Sequence, residues 1–172
     1  MDSFIKRMML AAKCDVGFYE DVEGDVGALK QAMTVVVLSG IAAGIGSFSE
    51  GGLNGLISGT VGAIAGWFIW SYVTFFIGTK LMPEPQTFSS YGELLRTIGF
   101  SSSPGVIRVF GFLPGLHATV FAGPGVWKLA ARVGSVRQAL DYRSTWRAIG
   151  VVFIGWLLYV AVYAALALLF HR

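Results

Sequence analysis

The sequence has few ionisable side chains. Charged residues make up 13% of its 172 residues, against about 25% in an average soluble domain. Hydrophobic residues make up 55%. The basic residues are too few, and too interleaved with apolar segments, to form the basic face of a nucleic-acid-binding domain. This balance favours a polytopic membrane protein over a soluble domain with a large core.

Cysteine and histidine are also scarce. Cys14 is the single cysteine, which excludes a disulfide within the chain and a metal site made of cysteines alone. His117 and His171 are the two histidines. His117 lies in an apolar segment, where it could ligate the metal of a haem or a chlorophyll pigment. A hydrogen bond to a backbone carbonyl or a position at the membrane interface is favoured instead, because no second histidine supports a ligand site, and no cofactor or metal is predicted.

Catalytic signatures are missing as well. The sequence contains no H-E-x-x-H, no G-x-S-x-G and no phosphate-binding loop. No pair of carboxylates lies within an apolar segment, since Glu50, Glu84, Glu93 and Asp141 lie at or outside the segment ends. We therefore predict that the protein is not an enzyme, and transport coupled to protons or sodium is disfavoured.

Five apolar segments dominate what is present. Their approximate bounds are residues 28–48, 56–81, 103–121, 124–140 and 148–170. About 20 apolar residues cross the hydrocarbon core of a bilayer. The prediction is an all-α polytopic transmembrane bundle of five spans over residues 27–172. An amphipathic, interfacial segment precedes it over residues 1–26.

The basic residues alternate between the loops. Lys and Arg occur before the first span, in the second connection and in the fourth, but not in the first or third. Basic loops stay in the cytoplasm. The N-terminus is therefore predicted to be cytoplasmic and the C-terminus to lie across a bacterial inner membrane. Segment 124–140 carries Lys128, Arg132 and Arg137, so it is a short span or an interfacial helix; the alternation favours a span.

Two short patterns predict helix boundaries. Ser90 and Glu93 fit a capping box, so a short interfacial helix is expected to begin there. Farther along, the stretch ALDYRSTWR predicts a turn at Asp141 and the start of the last helix at Ser144 or Thr145.

Basic residues gather in the stretch KLAARVGSVRQALDYRSTWR, which ends at Arg147. Each exposed Lys or Arg near anionic lipid contributes on the order of 1 kcal/mol. We predict that this stretch supplies a cytoplasmic rim that contacts lipid phosphates or a partner. The candidate rim residues are Arg132, Arg137, Arg143 and Arg147.

Pairs of glycines spaced four residues apart recur in the first two spans. They are Gly40 and Gly44, Gly55 and Gly59, and Gly62 and Gly66. Glycine lets helix backbones approach closely, where dispersion holds them together. The pairs predict either a homo-oligomer interface or packing within one bundle. The second interpretation is favoured, because membrane chains are generally rich in glycine.

The order of segments is accompanied by three local features. Gly99-Phe100 is followed by Pro104, Val126-Trp127 opens the fourth span, and a basic stretch leads through Ser144-Thr145-Trp146-Arg147-Ala148 into the last. Over nearly its whole length the chain resembles the bacterial branch of the Yip (Ypt/Rab-interacting) family of integral membrane proteins. The resemblance implies five spans, a cytoplasmic N-terminus and a short C-terminal end on the opposite side. Eukaryotic relatives bind Rab-type GTPases, but this chain lacks their long cytosolic N-terminal region and their Asp-Leu-Tyr-Gly-Pro sequence. The resemblance therefore gives a fold more firmly than an activity.

These features lead to one function hypothesis and one alternative. The hypothesis is a non-enzymatic scaffold, assembly factor or accessory subunit of a larger membrane complex, acting through helix packing and lipid contact. Its predicted partners are membrane lipids, other integral membrane proteins or further copies of itself, and bound lipid is expected. The alternative is a small carrier or pore for a lipidic or small-molecule ligand, which helices broken near Pro104, Pro114 and Pro124 would favour.

Overall fold

Helices make up all the regular structure in the described part of the chain. The computed structural model describes residues 3–113 and 115–170, without the side chains of residues 49, 50, 117, 159 and 162–170. Within these ranges there are seven α-helices and no strand, so the all-α prediction is confirmed. The α-helices are α1 (Phe4–Ala12), α2 (Val16–Gly24), α3 (Ala28–Gly46), α4 (Phe48–Phe76), α5 (Tyr91–Phe100), α6 (His117–Ala139) and α7 (Thr145–Phe170). A π-helix (Ile77–Leu81) continues α4, and a 3₁₀-helix (Ser103–Phe112) lies between α5 and α6.

Two helical stretches are long and apolar enough to cross a membrane. They are Ala28–Gly46 and Gly51–Leu81, judged by length and composition among the described residues. The buried helix of a soluble protein meets the same two criteria. The all-α architecture is therefore established for the described residues, and two of its helices meet the length and composition criteria for crossing a membrane.

Helices α1 and α2 pack against one end of the bundle. The Tyr19 hydroxyl donates to the Ala11 carbonyl at 3.1 Å, which ties the two helices together. Both residues are fully buried in the core, whereas Ile5 and Met9 on the other side of α1 are exposed. One side of α1 is thus packed against the core, and the other side exposes apolar side chains.

The third apolar segment differs from the expected span over residues 103–121. The structure has a 3₁₀-helix of ten residues, a turn, and then α6 from His117. A 3₁₀-helix rises about 2.0 Å per residue, so it reaches about 20 Å, short of the ~30 Å hydrocarbon core. The chain does not form one helix over residues 103–121, because Gly115 adopts a φ of +82°. Helix α6 takes the remaining residues and extends for 23 residues to Ala139.

The 3₁₀-helix nevertheless runs beside α3 in the same direction. A Cβ placed on Gly99, just before it, would lie 2.8 Å from the Ala32 Cβ near the start of α3. A Cβ placed on Gly111, near its end, would lie 2.9 Å from the carbonyl oxygen of Gly46, the last residue of α3. The end of α5 and the 3₁₀-helix therefore accompany α3 from one end of the bundle to the other.

Helices α6 and α7 complete an alternating arrangement. Phe121, in the first turns of α6, lies beside the end of α3, whereas Leu140, just after α6, packs on Gly78 in the π-helix. Helix α7 starts at that same end, where Met82 packs on Gly150. Five segments thus alternate in direction: α3, α4 with its π-helix, the 3₁₀-helix, α6 and α7.

The hydrophobic core lies at one end of this bundle. Its largest fully buried side chains include Tyr19, Phe100, Leu94 and Leu140. They come from α2, from α5 and from the residue that follows α6, and they pack around the start of α3 and the end of α4. The other half of the bundle is less filled, and it contains the cavity described next.

Candidate functional site

A cavity of about 940 Å³ lies between α3, α4, α6, α7 and the 3₁₀-helix. Gly59, Gly62 and Gly66 line its α4 wall, and their spacing places them on one face of that helix. A Cβ added at any of the three would meet no described atom within 4 Å. The cavity exists because this face of α4 has no side chains to fill it.

Aromatic rings form the deeper part of the wall. Trp67 and Trp70 line the cavity, and both are buried, at 4% and 7% exposure. The Trp67 Nε1 donates to the Leu95 carbonyl at 2.9 Å, which fixes the indole plane against α5. The lining is therefore apolar and rigid on the side of the core.

Three cationic side chains line the same cavity, namely Arg108, Lys128 and Arg132. Lys128 and Arg132 are four residues apart on α6 and so share one helix face. The Arg108 Nη2 lies 3.8 Å from the position of a Cβ on Gly125, one turn before Lys128 on that face. The 3₁₀-helix and α6 therefore bring three positive charges to one wall.

The rings beside these cations hold the two arginines in place. The Arg132 guanidinium lies 4.6 Å from the Trp70 ring centroid, and the Arg108 guanidinium lies 5.4 Å from that of Phe121. Such cation–π contacts are stronger where water is excluded. The Arg108 Nε is buried and has no hydrogen-bond partner among the described residues. None of the lining residues that the structure describes is an Asp or a Glu.

The four arginines of the predicted basic rim lie in two separate places in the structure. Arg132 lines the cavity, whereas the other three arginines lie around the α6–α7 turn. The Arg137 Nε donates to the Tyr142 carbonyl at 3.3 Å. Arg147 donates to the Pro83 carbonyl at 2.8 Å. Thus Arg132 is not brought together with the rest, because its position on α6 turns it inward.

The α6–α7 turn is fixed to the loop after the π-helix. The Glu84 carboxylate accepts the Arg143 backbone N–H at 2.9 Å and lies 3.4 Å from the Arg147 Nε. These contacts lower the pKa of Glu84, with the Arg143 N–H as the main cause. The Tyr142 hydroxyl donates to the Met82 carbonyl at 2.7 Å, and burial raises its pKa to about 12. The side chains of Arg137 and Arg147 and the backbone of Arg143 therefore help to close this turn.

The predicted glycine pairs fall into two groups, one in contact with a neighbouring helix and one facing open space. A Cβ on Gly40 would lie 3.1 Å from the Ala63 Cβ, and one on Gly44 would lie 2.8 Å from the Leu56 Cα. These two glycines allow α3 and α4 to approach closely. The other four glycines meet no described atom within 4 Å, so helix packing at these positions stays a prediction. Those four are Gly55, Gly59, Gly62 and Gly66.

Arg96 is a buried cation outside the cavity that the sequence pattern did not single out. Its guanidinium is buried and donates from Nε to the Val22 carbonyl at 3.1 Å and from Nη2 to the Glu23 carbonyl. It thereby satisfies two carbonyls at the C-terminal end of α2. The Glu23 carboxyl group lies nearby, and its Oε2 is buried without a hydrogen-bond partner among the described residues.

The remaining predicted ligand cannot be placed in this geometry. The side chain of His117 lies outside the described residues, although its backbone begins α6. Among the described residues, no group of three or more His, Cys, Asp or Glu side chains could hold a metal ion. No protein-family model, no curated protein and no solved structure matches the chain. The resemblance to the Yip family therefore stays a prediction from the residues.

Proposed function

We propose that the chain is a five-pass, non-enzymatic integral membrane protein. In this proposal it acts as a scaffold, assembly factor or accessory subunit of a larger membrane complex. The observation that carries the proposal is an apolar outer surface on α3, α4, α6 and α7. Its exposed members include Ile41, Ile45, Ile57, Ile69, Val126, Leu129, Phe153 and Leu157. Monomeric soluble proteins rarely expose large contiguous apolar patches.

The alternating order of five segments supports the same proposal. The basic α6–α7 turn and the N-terminal helices lie at one end of the bundle. The end of α3, the kink at Gly52 near the start of α4, and the start of α6 lie at the other. Because basic ends stay cytoplasmic, this arrangement favours a cytoplasmic N-terminus in a bacterial inner membrane. Five passes of this kind also agree with the Yip resemblance.

Extraction and gentle purification test this proposal in two steps. Membranes from cells that produce the full chain are washed with alkaline carbonate, and we expect the protein to stay in the pellet. Release into the supernatant would contradict the membrane assignment. The retained protein is then purified in a mild detergent, where an accessory subunit brings other integral membrane proteins in fixed stoichiometry. A chain that purifies alone argues against the subunit role.

A carrier for a lipidic ligand is the second candidate. The cavity of about 940 Å³ favours it, because ligand sites usually enclose about 300–1,000 Å³. Purified protein in liposomes would then speed the movement of a labelled lipid between leaflets. Equal rates in liposomes with and without protein would argue against a carrier.

A further inference from the structure

The cavity concentrates positive charge in an apolar setting. Arg108, Lys128 and Arg132 line it, and the described lining includes no carboxylate. No hydrogen bond or ion pair joins the Lys128 ammonium group to any described residue. Charges removed from water are costly unless an opposite charge or hydrogen-bonding groups compensate them. Among the described lining residues no carboxylate balances the charge of Arg108 and Lys128, so an anionic ligand would compensate it.

We propose that the cavity binds an amphiphile with an anionic phosphate head and an apolar tail. The head would lie against Arg108, Lys128 and Arg132, and the tail along the glycine face of α4. This inference rests on the proposed function, because it places the cavity in a bilayer.

The donor set suits a phosphate group in particular. Two arginines offer planar forks that match phosphate oxygens, and a lysine adds a point charge. Trp70 and Phe121 hold the arginine planes, so little side-chain freedom is lost when the anion binds. The buried Arg108 Nε has a donor that a phosphate oxygen would satisfy.

The rest of the cavity suits an apolar tail. Trp67, Trp70 and the face of Gly59, Gly62 and Gly66 are apolar and lie next to the cationic wall. The cavity also reaches the outer surface of the bundle. Its lining includes Ile69, Val126 and Leu158, each of which is exposed. A lipid could therefore enter sideways from the bilayer between α4, α6 and α7.

Lipid retention tests the cationic wall. The full chain is reconstituted in nanodiscs of phosphatidylcholine with a minor fraction of phosphatidylglycerol, extracted gently, and weighed by native mass spectrometry. We expect one phosphatidylglycerol bound per chain. Loss of one charge-assisted contact lowers affinity by about tenfold or more, so the combined variant R108Q/K128Q/R132Q should retain none.

A variant with the same loss of charge serves as the control. Lys13, Lys30 and Lys80 are exposed and do not line the cavity, so K13Q/K30Q/K80Q should retain the lipid like the unmodified chain. Equal loss in both variants would overturn the proposal, because retention would then follow net charge. Equal retention in both would also overturn it.

A second pair of variants tests the tail site without altering charge. Gly62 and Gly66 face open space in the cavity, so G62L/G66L should fill it and reduce retention of phosphatidylglycerol at least tenfold. Gly55 also faces open space but does not line the cavity, so G55L should leave retention unchanged. This pair remains informative if the triple charge variant fails to fold.

Two competitors distinguish a lipid from a free anion. Millimolar inorganic phosphate and glycerol phosphate are added to phosphatidylglycerol-loaded protein, and neither should displace the lipid. Displacement by inorganic phosphate alone, with unchanged retention in G62L/G66L, would contradict an amphiphile ligand.

The carbonate wash and the lipid measurement separate the two proposals. If carbonate releases the chain, the membrane proposal fails. If the chain stays in membranes but retains no anionic lipid, only the proposal of a lipid in the cavity fails.

Discussion

At the scale of single residues, Glu23 is an ionisable group outside the proposed spans whose pKa is strongly shifted. Burial raises the pKa of its carboxyl group to about 7, and repulsion by Asp141, Glu93 and Glu20 adds to this, while Arg96 opposes it. The ordinary value is 4.5. Between these two pH values the folded chain binds more protons at this site than the unfolded chain does.

This difference predicts that Glu23 lowers stability as the pH rises. Below pH 4.5 the group is protonated in both states, and above about 7 the folded state holds a half-buried carboxylate. We expect Glu23→Gln to remove this loss, so the variant should be the more stable by about 1 kcal/mol at pH 8, after allowance for screening by solvent. Thermal unfolding in detergent from pH 5 to 8 measures the effect.

Asp21→Asn is the matched control for that experiment. Asp21 is an exposed carboxylate on the same helix, α2, and its replacement should leave the pH dependence as it is in the unmodified chain. If the Glu23 variant and the unmodified chain lose stability in parallel between pH 5 and 8, the carboxyl group does not cause the loss.

At the scale of elements, the contact between α3 and the segment from Gly99 to Phe112 depends on glycine. A Cβ on Gly46 would overlap the Arg108 carbonyl oxygen, and one on Gly99 would lie 2.8 Å from the Ala32 Cβ. Backbone and Cβ atoms cannot move aside as the end of a flexible side chain can. These glycines are therefore required by close approach between elements.

Alanine substitutions should separate glycines that pack from those that do not. We expect Gly46→Ala and Gly99→Ala each to lower the free energy of unfolding by about 1–3 kcal/mol through overpacking. Gly55→Ala meets no described atom and should instead be neutral or stabilise the helix by up to about 1 kcal/mol. Thermal unfolding and limited proteolysis compare the three. Equal losses at all three positions would contradict the role of close approach.

Much of the element order could be predicted from the sequence. The first apolar segment was expected over residues 28–48, and α3 is Ala28–Gly46. The capping box of Ser90 and Glu93 is confirmed by both of its hydrogen bonds. A turn at Asp141 is confirmed by its φ of +53°, and α7 begins at Thr145 as expected. Capping and turn chemistry are local, so a single sequence reports them.

The cavity could not be predicted in the same way. Glycines four residues apart look alike whether they admit another helix, as Gly44 does, or leave space, as Gly62 does. Arg108 and Lys128 come together only because the 3₁₀-helix runs beside α3 and α6 returns. The one available signal was that ionisable residues stood within apolar segments, where they usually mark a functional site.

At the scale of the whole molecule, the bundle has two unlike halves. The half with the N-terminal helices and the α6–α7 turn is densely packed and carries the ion pairs Arg7–Asp25 and Arg147–Glu84. The other half holds the cavity and its opening to the outer surface. A rigid end beside an open one suits a protein that keeps its orientation while it exchanges a ligand with the bilayer.

Five passes make a prediction about the sidedness of each turn. Cys14→Ser removes the single cysteine. Each variant then carries one new cysteine at one turn, and it is labelled in intact cells. A membrane-impermeant maleimide should label Asn54→Cys and Leu116→Cys directly. It should label Phe88→Cys and Arg143→Cys only after the inner membrane is opened, because the proposal places the basic end of the bundle in the cytoplasm. All four residues are exposed in the structure. If the position-116 cysteine is protected while the position-54 cysteine is labelled, the short 3₁₀-helix does not carry the chain across, and the direction of α7 reverses.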